Sequence, residues 1–238
     1  SLALRAEYNN SWTHWSAGQR NAGTLIRDDW ARKAMLDMGN PSAGEGRFVH
    51  VYLNGLYWGV YNLCERPNHS HYAAYRGLSD DSQIDARNGG NAINGNNTAW
   101  NEMTGLASNW TEIQQRLNMT QYIDFTLVQG FSGNRDLKTT GGNWRSAGGG
   151  PERLPFELYP WDTERIFEQV NQNAAGVTKA AQIFNTLFGL TEFKVQLGDR
   201  IHQHLFNDGA LTVPASLARW QNYTNRLYTA MIAESARW

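Results

Sequence analysis

Ile26, Trp30, Ala34 and Met38 recur every fourth residue, which puts one apolar stripe on a helix predicted over 24–38. Arg27, Asp28, Arg32 and Lys33 fall on the opposite face and read as a solvated surface. Thr24 is the expected N-cap, and Gly39 stands where the helix would stop. Residues 48–53 and 56–63 are rich in Val, Tyr and Trp and meet at Asn54-Gly55. A two-residue type I′ turn needs positive φ at both positions, which Asn and Gly tolerate, so an antiparallel hairpin is predicted over 48–63. Val51, Leu53, Val60 or their alternates should form its buried face. Pro67 cannot donate to a ladder, so the hairpin ends at Glu65-Arg66. Leu2 and Leu4, alternating with Ala3 and Arg5, suggest a further strand.

Residues 79–98 are rich in Asn, Gly and Asp and read as a polar surface loop. Asp80, Asp81 and Asp85 lack the spacing of an EF-hand loop. Helical patterns follow at Trp100–Leu106, at Trp110–Leu117, and at Tyr122–Val128 behind a Thr120 cap. Past Phe167 they continue at Lys179–Leu187, Thr191–Phe206 and Pro214–Ala233, the last with Thr212 as its cap. His202 and His204 are two positions apart and so face different sides of a helix, which argues against a shared metal. The expected class is α+β, with a strand-rich part over 1–66 and a mostly helical part over 67–238.

Composition narrows the function classes. The 238 residues suffice for one large domain or two small lobes around a cleft, and 41% hydrophobic residues supply a substantial core. A net charge of -1 with dispersed Lys and Arg excludes the basic stripe of a nucleic-acid binder. No apolar run approaches the roughly 20 residues of a membrane-spanning helix. Cys64 is the single cysteine and lies in a strand pattern, where a buried, inert thiol is expected. HExxH, paired CxxC, P-loop and GxSxG motifs are all missing from the sequence. Ten Trp and ten Tyr could line a glycan-binding face, but most hold periodic positions that suit core packing.

The stretch from Phe131 to Glu164 concentrates the candidate chemistry. Asn134, Asp136, Asn143 and Asp162 sit on short loops around a glycine-rich interval, and Phe156, Leu158 and Tyr159 lead into Trp161-Asp162 like a strand ending in an acid. Hard divalent cations take oxygen ligands, and one or two carboxylates with substrate phosphates complete such a site. Protein kinases present their catalytic base and two metal ligands in this order of Asp, Asn and strand-borne Asp. The same residues also suit turns among glycines, with Asp162 capping the turn at Glu164-Arg165.

The segment Val51-Tyr52-Leu53-Asn54-Gly55-Leu56-Tyr57-Trp58-Gly59-Val60-Tyr61-Asn62-Leu63-Cys64-Glu65-Arg66 resembles the hairpin signature of the CotH family, named for a bacterial spore coat protein. Gly133-Asn134-Arg135-Asp136, Asn143-Trp144 and Pro160-Trp161-Asp162-Thr163-Glu164 resemble its active-site motifs. Asn207 to Thr212 and Glu234 to Trp238 are similar to C-terminal motifs of its environmental-bacterial branch. The resemblance implies a two-lobed, protein-kinase-like fold binding ATP with Mg2+ or Mn2+. By position, Asp136 is the catalytic aspartate, Asn143 and Asp162 are metal ligands, and Glu65 and Arg66 form the hinge beside the adenine. The implied activity is phosphotransfer to an extracytoplasmic protein acceptor, within a larger multidomain chain. The alternative is a catalytically silent structural or recognition module of a bacterial surface protein. Two departures stand out. The chain lacks the family's upstream strand pair with its Arg-Gly and phosphate-contacting Lys, so the N-terminal lobe is expected to be truncated. Leu137 to Gly142 replaces a loop with a Trp and acidic residues, and Arg145-Ser146 stands where an aromatic follows the Asn-Trp pair.

Overall fold

A computed structural model describes residues 1–9, 11–137, 142–169, 171 and 183–238. Strand β1 (Leu2–Arg5), a short helix α1 (Ala17–Arg20) and helix α2 (Arg27–Asp37) precede the hairpin of β2 (Gly46–Leu53) and β3 (Leu56–Glu65). These strands form an antiparallel sheet of order β1-β3-β2, with Arg5 paired to Asn62. Asn54 and Gly55 take φ values of 52° and 80°, the two positive angles a type I′ turn requires. A bulge between Val51 and Tyr52 interrupts the alternation. Val60 is buried and Val51 half-buried, but the projecting tip leaves Leu53 exposed, unlike the face expected of it.

Helix α2 corrects the reading of its polar face. Arg27, Asp28, Asp29 and Arg32 are all buried, and Lys33 alone of the expected set is exposed. Arg32 donates to Asp28 at 2.7 Å, to Asp29 at 2.6 Å and to the Asn62 side chain of β3 at 2.6 Å. Buried charges survive when paired in this way, and local periodicity cannot see the strand that supplies the partner. The helix starts at Arg27 with Ile26 as its N-cap residue, so Thr24 lies outside it. It stops as expected: Gly39 takes φ 92°, and the Gly39 and Asn40 amides donate to Leu36 and Met35 in a Schellman closure.

The chain then runs through α3 (His69–Tyr75), β4 (Asp85–Asn88), β5 (Asn91–Asn94), α4 (Thr98–Gly105), α5 (Trp110–Ile113), α6 (Met119–Phe131), β6 (Trp144–Gly149) and β7 (Leu154–Pro160). The strands form a second antiparallel sheet of order β5-β4-β6-β7. Residues 79–98 are therefore not a surface loop throughout: β4 is a central strand, and Asp85, Ala86 and Arg87 are buried. The Asp85 carboxylate accepts from the amides of Asn96 at 2.9 Å and Gly150 at 3.0 Å, closing the loops around it. Gly148 and Gly149 of the glycine-rich interval belong to the buried strand β6. A Cβ on Gly148 would lie 2.7 Å from the Phe156 backbone, so the β6–β7 bulge admits only glycine there. Helix α6 is capped by Asn118, which accepts from Gln121, rather than by Thr120. Asn118 and Phe156 exchange backbone bonds with the neighbouring segment, tying the start of α6 to β7.

Helices α7 (Phe184–Leu187), α8 (Thr191–Leu205), α9 (Val213–Leu227) and α10 (Ala230–Arg237) follow. Part of the helix expected from Lys179 lies outside the described residues. Thr212 caps α9 as expected, but the helix predicted to reach Ala233 breaks at Tyr228-Thr229. His204 is buried and His202 exposed, on different faces. Trp30, Phe125, Trp144, Phe156, Phe193 and Tyr223 share one core joining α2, α6, both strands β6 and β7, α8 and α9. Cys64 is buried, and burial pushes its thiol pKa up. The architecture is mixed α+β, and among the described residues no helix is long and apolar enough to cross a membrane.

Candidate functional site

Strand β7 ends at Pro160, and the chain turns through Trp161 and Asp162, the latter at φ 56°. Asn143, immediately before β6, takes φ 64°. Asn and Asp are among the few residues that tolerate this left-handed region, so both turns suit the residues placed there. Asn143 and Asp162 line one cavity of about 550 Å³ together with Arg5, Glu7, Asn9 and Glu164. The Asn143 amide nitrogen donates to the Asp136 carbonyl at 2.7 Å. The Asp136 loop is itself held from below: its amide donates to Asn134, which is buried and bonds Gln129 at 2.7 Å. Phe167 and Arg135 tie this loop by backbone bonds to the segment after Asp162.

The fold thus joins the Asp136 loop to Asn143 and sets Asn143 beside Asp162. Asp136 is not among the residues lining the cavity, and neither are Glu65 and Arg66. Glu65 ends β3, where its carboxylate accepts from the Glu45 amide at 2.9 Å and the Tyr75 hydroxyl at 2.7 Å. Arg66 is exposed, and its amide donates to the Ser1 carbonyl at 3.0 Å.

Sequence reasoning missed the charge cluster around Asp162. Arg5, delivered by β1, pairs with Asp162, with Glu164 at 2.7 Å and with Asp28 of α2 at 3.3 Å. Burial opposes the charge on Arg5, but Asp28, Asp162 and Glu164 outweigh it and raise its pKa. Burial likewise opposes ionisation of Asp28. Arg5, Arg32 and two 2.9 Å hydrogen bonds from Thr163 prevail and hold its pKa below the usual range. At Glu164 the balance tips the other way: burial, reinforced by Asp28, lifts its pKa to about 7 despite Arg5. Glu7 is buried at φ 51° with Oε2 unpartnered among the described residues, and burial followed by Glu164 and Asp28 raises its pKa well above the usual value. Glu164 belongs to the Trp-Asp motif and could have been suspected; Arg5 and Asp28 carried no signal beyond a strand and a helix pattern.

Trp161 organises the cations. Arg5 and Arg145 both lie against its ring, 4.3 Å and 4.5 Å from the centroid. Burial, followed by repulsion from Arg66, lowers the Arg145 pKa to about 10.

A second cavity of about 480 Å³ lies between α2 and α9, lined by residues including Asp29, Lys33, Asp37 and Arg219. It contains none of the sequence-predicted site residues, so the chemistry is placed at the first cavity. Among the described residues, no cluster of three or more His, Cys, Asp or Glu is arranged to hold a metal. One carboxylate with one amide oxygen still fits a magnesium site completed by phosphates: no hydrogen bond engages Asn143 Oδ1 among the described residues.

The fold and cavity define a mixed α+β domain with an oxygen-rich, charge-lined site. Residues 17–212 match the family model for CotH kinase protein, and the chain belongs to that family. The matched segment contains Asp28, Asp136, Asn143 and Asp162, whereas Arg5 precedes it and α9 and α10 follow it. A comparison with curated proteins gives no match.

Proposed function

We propose that the protein is an ATP-dependent phosphotransferase with a two-lobed, kinase-like architecture, using Mg2+ or Mn2+ at the 550 Å³ cavity. The observation that carries this reading is the placement of Asn143: it lines the cavity with Asp162 and is bonded to the Asp136 backbone. Asp162 and Asn143 would hold the metal, which neutralises phosphate charge when bound. Asp136 orients the acceptor hydroxyl and takes its proton, and Glu65 and Arg66 lie beside the base. The acceptor is a protein outside the cytoplasm, and the chain serves within a larger multidomain protein. These last assignments rest on the family resemblance.

One observation favours a silent module. Arg5 already pairs with Asp162, so a metal must compete with a guanidinium for the same carboxylate. Calorimetry with ATP and either metal, beside a phosphate-transfer assay, tests both readings. Asp162→Ala should abolish metal-dependent ATP binding, because its ligand bond exists in the ground state. Asp136→Ala should keep binding and lose transfer, since its contact with the hydroxyl matters in the chemical step. Weak or undetectable binding is expected of the 238 residues alone, and a chain extended upstream by the family's strand pair that still gives no heat with either metal is the silent module. Variants that both bind and transfer normally overturn the residue roles.

A further inference from the structure

Arg145 stands two residues beyond Asn143 on β6, is 6% exposed, and is next to the 550 Å³ cavity through Asn143 and Asp162 without itself lining it. Its Nε and Nη1 have no hydrogen-bond partner, and among the described residues no hydrogen bond or ion pair engages its guanidinium. The other buried arginines differ. Arg27, Arg32, Arg87 and Arg219 each donate to a carboxylate, an amide oxygen or a carbonyl, as does the half-buried Arg5. Arg145 instead rests on the ring of Trp161, directly before Asp162, in a field where Arg66 repels it and Asp162 attracts it. A cation desolvated without a counter-ion is costly, and idle guanidinium donors inside a protein are matched in geometry to the paired oxygens of a carboxylate or phosphate.

We infer that Arg145 is an anion-binding residue that takes a phosphate of the bound ligand directly. The inference rests on the nucleotide reading above and deepens it, because it assigns the phosphate contact to a buried cation that has no ion pair among the described residues. Arg5 is less suited to that task, being already committed to Asp28, Asp162 and Glu164. The Trp161 ring, 4.5 Å from Arg145 Cζ, holds the guanidinium next to the Asp162 turn, where a phosphate would arrive. The rival role is purely structural, with Arg145 only propping the Trp161 ring.

Calorimetry of the upstream-extended chain with magnesium-ATP, magnesium-triphosphate and adenosine separates these roles. Arg145→Met should weaken ATP and inorganic triphosphate alike by about tenfold or more, as expected for a lost charged hydrogen bond, and leave adenosine unchanged. Arg145→Lys, which keeps the charge but not the fork, should fall between. It also decides the matter should the Met variant fail to melt cooperatively: a several-fold loss for triphosphate alone supports the inference, and no loss overturns it. If adenosine weakens as much as triphosphate, Arg145 acts through Trp161 or the base and the inference fails. If both variants bind triphosphate like wild type, it fails while the nucleotide reading stands. If wild type binds neither ATP nor triphosphate, the nucleotide reading fails and takes this one with it.

Discussion

Arg5→Met removes the cation that holds three acids together and keeps much of the packing against Trp161. Asp28 and Glu164 have side chains only 3% and 4% exposed, so their pairs with Arg5 lie in a poorly screened setting. The pair with Asp162, whose side chain is 35% exposed, adds little. Breaking a buried ion pair by removing one partner costs roughly 3–5 kcal/mol, a large part of the roughly 5–15 kcal/mol that stabilises a domain. We expect a loss of about 3 kcal/mol at pH 8, read from urea denaturation. The loss should depend on pH. Arg5 lowers the pKa of Asp28, Glu164 and Glu7, so the folded variant binds more protons than folded wild type. By linkage, its stability then falls more steeply as pH rises. At pH 5 Glu164 is already protonated in the folded wild type, since its pKa is about 7, and the penalty there should be smaller. A deficit below about 1 kcal/mol at pH 8, or one larger at pH 5 than at pH 8, would refute the reasoning.

Three further outcomes are expected. In wild type, Glu164 is raised from 4.5 to about 7, so its contribution is present below pH 4.5 and is lost as pH rises through 7; Glu164→Gln should flatten that part of the stability profile. Gly55→Val should cost roughly 1 kcal/mol or more in thermal or urea melts; a Cβ there meets nothing within 4 Å, so the strain comes from φ 80° alone. Asp85→Ala should cost roughly 2 kcal/mol or more by leaving the Asn96 and Gly150 amides without their acceptor, and added calcium should leave the wild-type melting temperature unchanged.

The local rules in the sequence were enough for the β2–β3 turn, the Gly39 stop, the Thr212 cap and the strand that delivers Asp162. Each depends on neighbouring residues: positive φ at Asn54-Gly55, a left-handed Gly39, a hydroxyl three residues before an orphan amide, and an apolar run ending in an acid. The order of Asp136, Asn143 and Asp162 was equally legible, and with the hairpin it pointed to the CotH kinase family.

Tertiary structure decided what long-range partners decide. Strands β4 and β6 carry too many polar residues and glycines for any alternation, and they are strands because each completes the ladder of the other. The charged face of α2 is buried because Arg32 pairs with Asp28 and Asp29 along the helix, while Arg5 and Asn62, distant in sequence, add a second cation for Asp28 and an acceptor for Arg32. The same holds at the site. Arg5 is 157 positions from Asp162, and only the pairing of β1 with β3 brings its guanidinium to the acids. No periodicity encodes such an encounter, because a charge is admitted to the interior by the partner it finds in the folded chain rather than by its neighbours in sequence.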